Sequence, residues 1–163
     1  MRMLIQRVSR ARVVIGERVA GEIGHGLLVL VGLAHGDDEA LARRALEKLV
    51  GLRLFADEGG NINRSLAEVR GGLLLVSQFT LHADIRKGRR PSFTGAMPPG
   101  EARLLYERVV QVARELHADG PVQSGEFGAM MQVELVNDGP VTVMLDTAEL
   151  GWHDAGQKNA KGA

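Results

Sequence analysis

Two short runs of uninterrupted apolar residues constrain the fold of this chain more than any other feature. Leu27 to Val31 and Leu73 to Val76 contain no polar residue. A strand with one face in water alternates apolar and polar residues, so an uninterrupted run is typical of a strand that is covered on both faces. Both runs are therefore predicted to be strands with packed layers on each side. So much covered sheet in a small domain also suggests that a second subunit supplies part of the cover.

Two helices are predicted. Asp37 or Asp38 can cap a helix that runs through Val50 and ends at Gly51, because a side-chain carboxylate accepts hydrogen bonds from the first free amides. The second helix follows Pro98-Pro99-Gly100, a sequence typical of a helix start. Its apolar stripe consists of Leu105, Val109, Val112 and Leu116.

The remaining apolar segments predict strands separated by glycine-bearing turns. Gly16, Gly24-His25-Gly26 and Gly59-Gly60 are interpreted as hairpin turns. Two final strands, 131–137 and 141–145, show the two-residue alternation of half-buried strands. The order of elements predicts an α/β fold of the α+β type, with a mixed, mostly antiparallel, barrel-like sheet and two helices on its faces. A single domain over 1–147 and a loose tail over 148–163 are expected.

Composition narrows the possible functions. Lys and Arg number 20, as do Asp and Glu, so the chain as a whole is not a polyanion binder and any contact with nucleic acid must be local. The chain has no cysteine, which excludes a disulfide framework and a thiolate nucleophile and suits a reducing compartment. The sequence shows neither a signal peptide nor an apolar stretch long enough to span a membrane. A cytoplasmic protein is expected.

The residues that follow the second apolar run are the first candidates for chemistry. Ser77, Gln78 and Thr80 surround Phe79 where the strand gives way to polar residues. They could simply bond the turn backbone. Alternatively, beside the Gly139-Pro140 turn they could form a pocket of hydroxyl, amide and main-chain groups that holds a carbonyl without a strong acid or base.

Other common catalytic arrangements are not indicated. The five histidines are scattered, with no pair at metal-binding spacing, so no metal and no cofactor are predicted. Ser77 lacks the flanking motif of a serine hydrolase, and a triad is defined by geometry and not by proximity in sequence. A catalytic triad is therefore not favoured.

One basic cluster stands out in the otherwise neutral chain. Arg86, Lys87, Arg89 and Arg90 follow closely after Ser77–Thr80. The cluster is either a solvated turn or a phosphate clamp beside a site, since cations gain from counterion release when they bind RNA.

At this point the sequence resembles a known family, the D-aminoacyl-tRNA deacylases of the D-tyrosyl-tRNA deacylase type. The similarity extends from Met1 to about Thr147 and includes the motifs "SQFT" at 77–80 and "NDGPVT" at 137–142. The resemblance implies a homodimer that acts on tRNA. Members of the family hydrolyse the ester between a D-amino acid, or mischarged glycine, and the terminal adenosine of tRNA.

The resemblance also implies roles for individual residues. Gly139 and Pro140 would form a cis peptide whose carbonyls project into the partner's pocket and reject L-amino acids. Ser77, Gln78, Phe79 and Thr80 would form the catalytic segment, with the Phe79 amide polarising the scissile carbonyl and the 2′-hydroxyl of the RNA helping to activate water. Supporting positions are Arg7, which would brace the Gly-Pro turn, and Phe127 and Met131 near the adenosine or amino-acid pocket.

Two other readings remain open. Thr80 could act as the nucleophile of a conventional threonine or serine esterase, although a threonine nucleophile needs a base. The chain could also be a non-catalytic tRNA-binding module that grips the acceptor stem with its basic cluster.

Overall fold

A computed structural model describes residues 1–152 of the chain. The strands are β1 (Arg2–Ile15), β2 (Arg18–Ile23), β3 (Gly26–Gly32), β4 (Arg53–Ala56), β5 (Ile62–Ser65), β6 (Gly72–Ser77), β7 (Val122–Ser124) and β8 (Gln132–Asp146). The helices are α1 (Glu39–Gly51), α2 (Leu66–Val69) and α3 (Pro99–Leu116), together with a 3-10 helix over Phe79–His82. Within these residues, no helix is both long and apolar enough to cross a membrane.

The two uninterrupted apolar runs form β3 and β6, which are parallel neighbours in the sheet. Leu73 and Leu75 pack into the core beneath the helices, whereas Leu74 packs into a second core on the opposite face. Residues 27–29 of β3 divide between the same two cores. The prediction that both faces of these strands are covered is confirmed.

The pairing of β1 with β2 and β3 tests the two hairpin turns predicted in the first part of the chain. Gly16 does form a hairpin turn, since Ile15 pairs with Arg18. The prediction of a hairpin turn at Gly24-His25-Gly26 is wrong, because β2 and β3 lie end to end along the same edge of β1. Their antiparallel register is continuous: Ala11 pairs with Ile23, and Val8 pairs with Gly26. The glycines there mark a bend in a long strand, and the hydrogen-bond ladder to β1 resumes beyond it.

β8 occupies the other edge of β1 and corrects a second expectation. Both halves of the predicted strand pair lie in one continuous strand, and both pair antiparallel with β1. The Gly139-Pro140 turn therefore does not reverse the chain. It lies within a bulge, a local excess of residues on one strand of a pair.

The sheet curls towards a barrel. β6 pairs in parallel with β7 as well as with β3, and β2 comes close to β7, since a Cβ added at Gly21 would lie 2.9 Å from the Ser124 carbonyl oxygen. The mixed sheet is thus nearly closed, in agreement with the predicted barrel-like core.

Both predicted helices are present. The Asp38 carboxylate caps α1 by accepting a hydrogen bond from the Leu41 amide at 2.8 Å, and α3 begins with a proline in its first turn. The prediction of two helices is nevertheless incomplete, because it omits α2 and the 3-10 helix. Each is a single turn of four residues, too short to produce a helical period in the sequence.

The chain remains in contact with the rest of the protein at and beyond residue 147, where the predicted tail begins. Thr147 is fully buried, and its amide donates to the Met1 carbonyl at 3.0 Å. Trp152 packs against the core, and the Arg44 guanidinium lies 4.2 Å from its ring centroid. The chain thus contacts the domain as far as Trp152, and the rest of the predicted tail, 153–163, lies outside the described residues.

Candidate active site

The "SQFT" segment changes from strand to 3-10 helix at the carboxyl end of β6. The Gln78 amide still follows the sheet, donating to the Val31 carbonyl at 2.7 Å, while the Leu81 amide turns back to the Gln78 carbonyl at 3.2 Å. The 3-10 helix begins at Phe79, and the first amides of a helix have no acceptor within it. The change of structure thus turns these polar residues out of the sheet.

Two residues that the sequence did not single out hold the 3-10 helix against the sheet. A Cβ added at Gly32 would lie 2.9 Å from Leu81 Cβ and 3.1 Å from the Gln78 carbonyl oxygen, so only glycine permits this close approach. Arg2 donates from Nη1 to the Leu81 carbonyl at 2.8 Å and from Nε to Asp146 Oδ2 at 2.7 Å. No local pattern in the sequence could reveal contacts between such distant residues.

A cavity of about 640 Å³ opens beside this helix. Ser77, Gln78 and Phe79 line it, and Phe127 and Met131 line it from the segment that leads into β8. The structure thus brings five of the predicted site residues to one cavity. The Thr80 side chain is exposed, its hydroxyl accepts a hydrogen bond from the Gln78 side-chain amide, and it is not among the lining residues.

Aromatic and apolar side chains form the mouth of this cavity. Phe79 is 57% exposed and meets Phe93 edge to face, with ring centroids 5.0 Å apart. Met130 is 92% exposed on the opposite segment of the lining. Large exposed apolar groups gathered at one place are typical of a binding site or an interface.

Among residues 1–152, no ionisable side chain lines the cavity, and the polar side chains that line it are the Ser77 hydroxyl and the Gln78 amide. The nearest candidate base along the chain is His82, which does not line the cavity; burial lowers its pKa, and its ring bonds the Gly32 backbone. Within residues 1–152, no group of three His, Asp or Glu side chains is placed to hold a metal ion. The site can therefore bind and polarise a carbonyl, while a proton acceptor must come from elsewhere.

The second predicted motif forms a wide bulge in β8. Gln6 pairs with Thr142 and Val8 with Asn137, so residues 138–141 stand opposite Arg7 alone. Gly139 and Pro140 are exposed in this bulge, and the peptide bond between them is cis, as the resemblance implies. They do not line the cavity of their own chain.

The bulge is held at both sides. Asn137 closes its base, with Oδ1 accepting from the Val141 amide at 2.8 Å and Nδ2 donating to Thr142 Oγ1 at 3.0 Å. Arg7 donates from Nε to the Asp138 carbonyl at 2.9 Å and from Nη1 to the Leu54 carbonyl at 2.7 Å. Arg7 therefore contacts the Gly-Pro segment, the segment that the resemblance implies it braces. Asn137 belongs to the "NDGPVT" motif but was not among the predicted site residues.

The fold and the site define a class of protein: a mixed six-stranded sheet accompanied by a two-stranded one, with a largely apolar cavity at the end of a parallel strand and a braced, exposed bulge in an edge strand. Comparison with known proteins narrows this class. A family model described as D-Tyr-tRNA(Tyr) deacylase matches residues 4–146, and the chain belongs to this family of hydrolases.

Individual relatives agree with this assignment. A D-aminoacyl-tRNA deacylase of Azoarcus sp. (strain BH72) is 60% identical over 145 residues, which cover 89% of this chain and 95% of that protein. The protein of the same name from Stenotrophomonas maltophilia (strain K279a) is 59% identical over 145 residues, covering 89% of this chain and 99% of the relative.

Solved structures share the fold. That of a c-Myc DNA Unwinding Element Binding Protein is 37% identical, with a TM-score of 0.85 over 90% of this chain and 98% of that one. A probable eukaryotic D-amino acid tRNA deacylase is 22% identical, with a TM-score of 0.76 over 89% of this chain and 98% of that one. The second likeness concerns the fold alone.

Proposed function

We propose that this chain hydrolyses the ester bond between a D-amino acid, or glycine, and the terminal adenosine of tRNA. The observation that carries the proposal is the convergence of Ser77, Gln78, Phe79, Phe127 and Met131 on one cavity in a chain whose relatives are named D-aminoacyl-tRNA deacylases.

The test compares release of tyrosine from D-tyrosyl-tRNA and L-tyrosyl-tRNA, with and without a chelator. Release from the D-ester alone, unaffected by the chelator, is expected. Equal release from both esters would contradict the proposal.

The chirality of the substrate is read, in this proposal, by the bulge of a second copy of the chain. Gly139 and Pro140 are exposed and do not line the cavity of their own chain, so their carbonyls can enter the cavity of a partner in a homodimer. A wall of backbone carbonyls excludes an L side chain but leaves room for a D side chain, whatever its identity. Glycine has no Cβ and cannot be excluded in this way.

The absence of cysteine from the chain allows a direct test of this arrangement. Asp138→Cys places a single thiol in the bulge, and Met130→Cys places one at the cavity mouth. Mixed and oxidised, the two variants should form a disulfide-linked dimer if the bulge reaches the partner's cavity. The control mixes Met130→Cys with Glu47→Cys, whose thiol lies on the exposed side of α1, and should give no disulfide-linked dimer. Equal cross-linking in the control would contradict the proposed dimer.

Catalysis depends, in this proposal, on the substrate's own RNA. The described residues supply a hydroxyl and an amide to the cavity but no ionisable side chain. The backbone amide of Phe79 is the first of a helix and has no acceptor within it. The amide polarises the scissile carbonyl, and the 2′-hydroxyl of the terminal ribose helps to activate water. A substrate with a 2′-deoxy terminal adenosine should be hydrolysed at least about 100-fold more slowly, whereas an unchanged rate would exclude RNA assistance.

A second candidate function is nucleic-acid binding without hydrolysis. It is favoured by the name of one structural relative, a c-Myc DNA Unwinding Element Binding Protein, and by the basic cluster 86–90. Tight, salt-sensitive binding of uncharged tRNA with no release of D-tyrosine would support this candidate over the deacylase.

A further inference from the structure

A short basic segment lies at the mouth of the cavity. Asp84 and Ser92 form an isolated antiparallel bridge, with backbone hydrogen bonds of 2.7 Å and 2.9 Å between them. The chain between these residues therefore leaves and returns at one place. We call residues 84–92 the basic hairpin.

Both ends of the basic hairpin are attached to the site. The chain enters it from the 3-10 helix Phe79–His82 and leaves it into Phe93. Phe79 and Phe93 both line the cavity, and their ring centroids are 5.0 Å apart. The base of the hairpin is thus held beside the mouth, and its tip can extend roughly 10 Å beyond, about three residues of extended chain.

The hairpin concentrates positive charge. The Arg86 guanidinium is paired with the Asp84 carboxylate at 2.6 Å, an interaction that lowers the pKa of Asp84 to about 2. Three further cations, Lys87, Arg89 and Arg90, are exposed, and in the described part of the chain none of them forms an ion pair. Because the whole chain is neutral, this local excess is not a by-product of a basic composition.

We propose that the basic hairpin binds the phosphate backbone of the RNA strand that leads into the cavity. The inference rests on the proposed function, because a terminal adenosine seated in the cavity brings the preceding phosphates to its mouth. Lys87, Arg89 and Arg90 neutralise these phosphates, while Arg86 and Asp84 fix the base of the hairpin. Contacts of this kind are independent of sequence and sensitive to salt, so the hairpin positions the strand and does not select the tRNA.

The test replaces Lys87, Arg89 and Arg90 by Gln in one variant. We expect KM for D-tyrosyl-tRNA to rise at least about tenfold, and the slope of log Kd against log salt for uncharged tRNA to fall by about 2, since each single-strand contact contributes about 0.7. Hydrolysis of D-tyrosyl-adenosine, which lacks the strand, should be unchanged. An unchanged KM and slope would overturn the inference, as would an equal loss on D-tyrosyl-adenosine.

A charge-matched control replaces three other exposed cations by Gln: Lys48, Arg70 and Arg114. Arg70 precedes β6 at the end opposite Ser77, roughly 20 Å away along the strand. The control should keep the tRNA slope and KM of the unaltered protein, and a similar loss in the control would show a general charge effect and overturn the inference. If the unaltered protein does not release D-tyrosine, the proposed deacylase function fails, while the tRNA slopes still test the hairpin by themselves.

Discussion

Arg7 donates a hydrogen bond from Nε to the Asp138 carbonyl at 2.9 Å, across a bulge in which four residues of β8 oppose this one residue of β1. The same guanidinium donates to the Leu54 carbonyl and is only 12% exposed. One side chain therefore joins the bulge to β4 beneath it. Because the fork of arginine donors is planar and rigid, it fixes the direction in which the bulge points.

Replacing Arg7 by Lys should loosen the bulge, because an ammonium cannot donate in two fixed directions. We expect the rate on L-tyrosyl-tRNA to rise towards that on the D-ester, and the free energy of unfolding to fall by about 1–3 kcal/mol. Deacylation of both esters and urea unfolding measure these changes. Arg12→Lys, in the exposed pair with Glu134, is the matched control; an Arg7 variant that behaves like it would remove the bracing role.

Replacing Gly139 by Ala should distort the bulge directly. Gly139 has φ of +139°, and an added Cβ would lie 2.8 Å from Val141 Cγ2 and 3.0 Å from Arg7 Nη2. A residue forced into such a backbone conformation costs about 1–3 kcal/mol, measurable by urea unfolding. Rejection of the L-ester should weaken in parallel. Gly100→Ala, where the added Cβ has no neighbour within 4 Å, should leave both properties nearly unchanged; a silent Gly139 variant would contradict the proposed wall.

The elements that sequence could predict are those fixed by local pattern. The runs in β3 and β6 indicated two-sided burial, and the capping residue and proline-rich start located α1 and α3. The glycines at Gly24-His25-Gly26 predict a hairpin because glycines at a bend and at a hairpin look alike in sequence. The register that continues past the bend, with Val8 and Ala11 of β1, depends on a strand that is distant in sequence. Gly139-Pro140 likewise resembled the end of a strand, although a bulge accommodates proline within a pair.

The site, like the fold, has parts that a local sequence pattern can predict and parts that depend on contacts between distant residues. The sequence contains the "SQFT" and "NDGPVT" motifs, and Ser77, Gln78 and Phe79 of the first motif line the cavity. Arg2 and Gly32 were missed because their importance arises from contacts with Leu81, far along the chain. Local sequence reveals which groups are chemically suited to a site, but it cannot show which distant residues hold them in place.

Replacing Thr80 by Val tests its role as a nucleophile. The Thr80 hydroxyl is exposed, bonds the Gln78 amide and is absent from the cavity lining. Release of D-tyrosine from D-tyrosyl-tRNA should therefore persist, reduced by about tenfold or less as Gln78 loses a partner worth roughly 1 kcal/mol. Thr80→Ser, which keeps the hydroxyl, is the control. Complete loss in the Val variant with activity retained in the Ser variant would instead support the threonine esterase.

Because His82 is partly buried, the free energy of unfolding should decrease as the pH falls below the ordinary pKa of histidine. Burial lowers its pKa below the ordinary value of about 6.5, so the unfolded chain takes up the proton first as pH falls. The contribution of neutral His82 is fully present above pH 6.5 and is lost as pH falls towards the lower folded pKa. Urea unfolding from pH 8 to 5 should show a steeper loss for the unaltered protein than for His82→Gln; equal slopes would contradict this placement.

The amino terminus provides the sharpest test of the core. The Met1 ammonium and the Asp37 carboxylate are fully buried, 2.8 Å apart, and the ammonium also donates to Thr147 Oγ1 at 2.9 Å. Removing one partner of a buried pair leaves an uncompensated charge and costs about 3–5 kcal/mol. Asp37→Asn should therefore lower the free energy of unfolding by this amount in urea denaturation. The neighbouring Asp38→Asn is the matched control, because Asn caps a helix about as well as Asp; equal effects at the two positions would show that the pair contributes little.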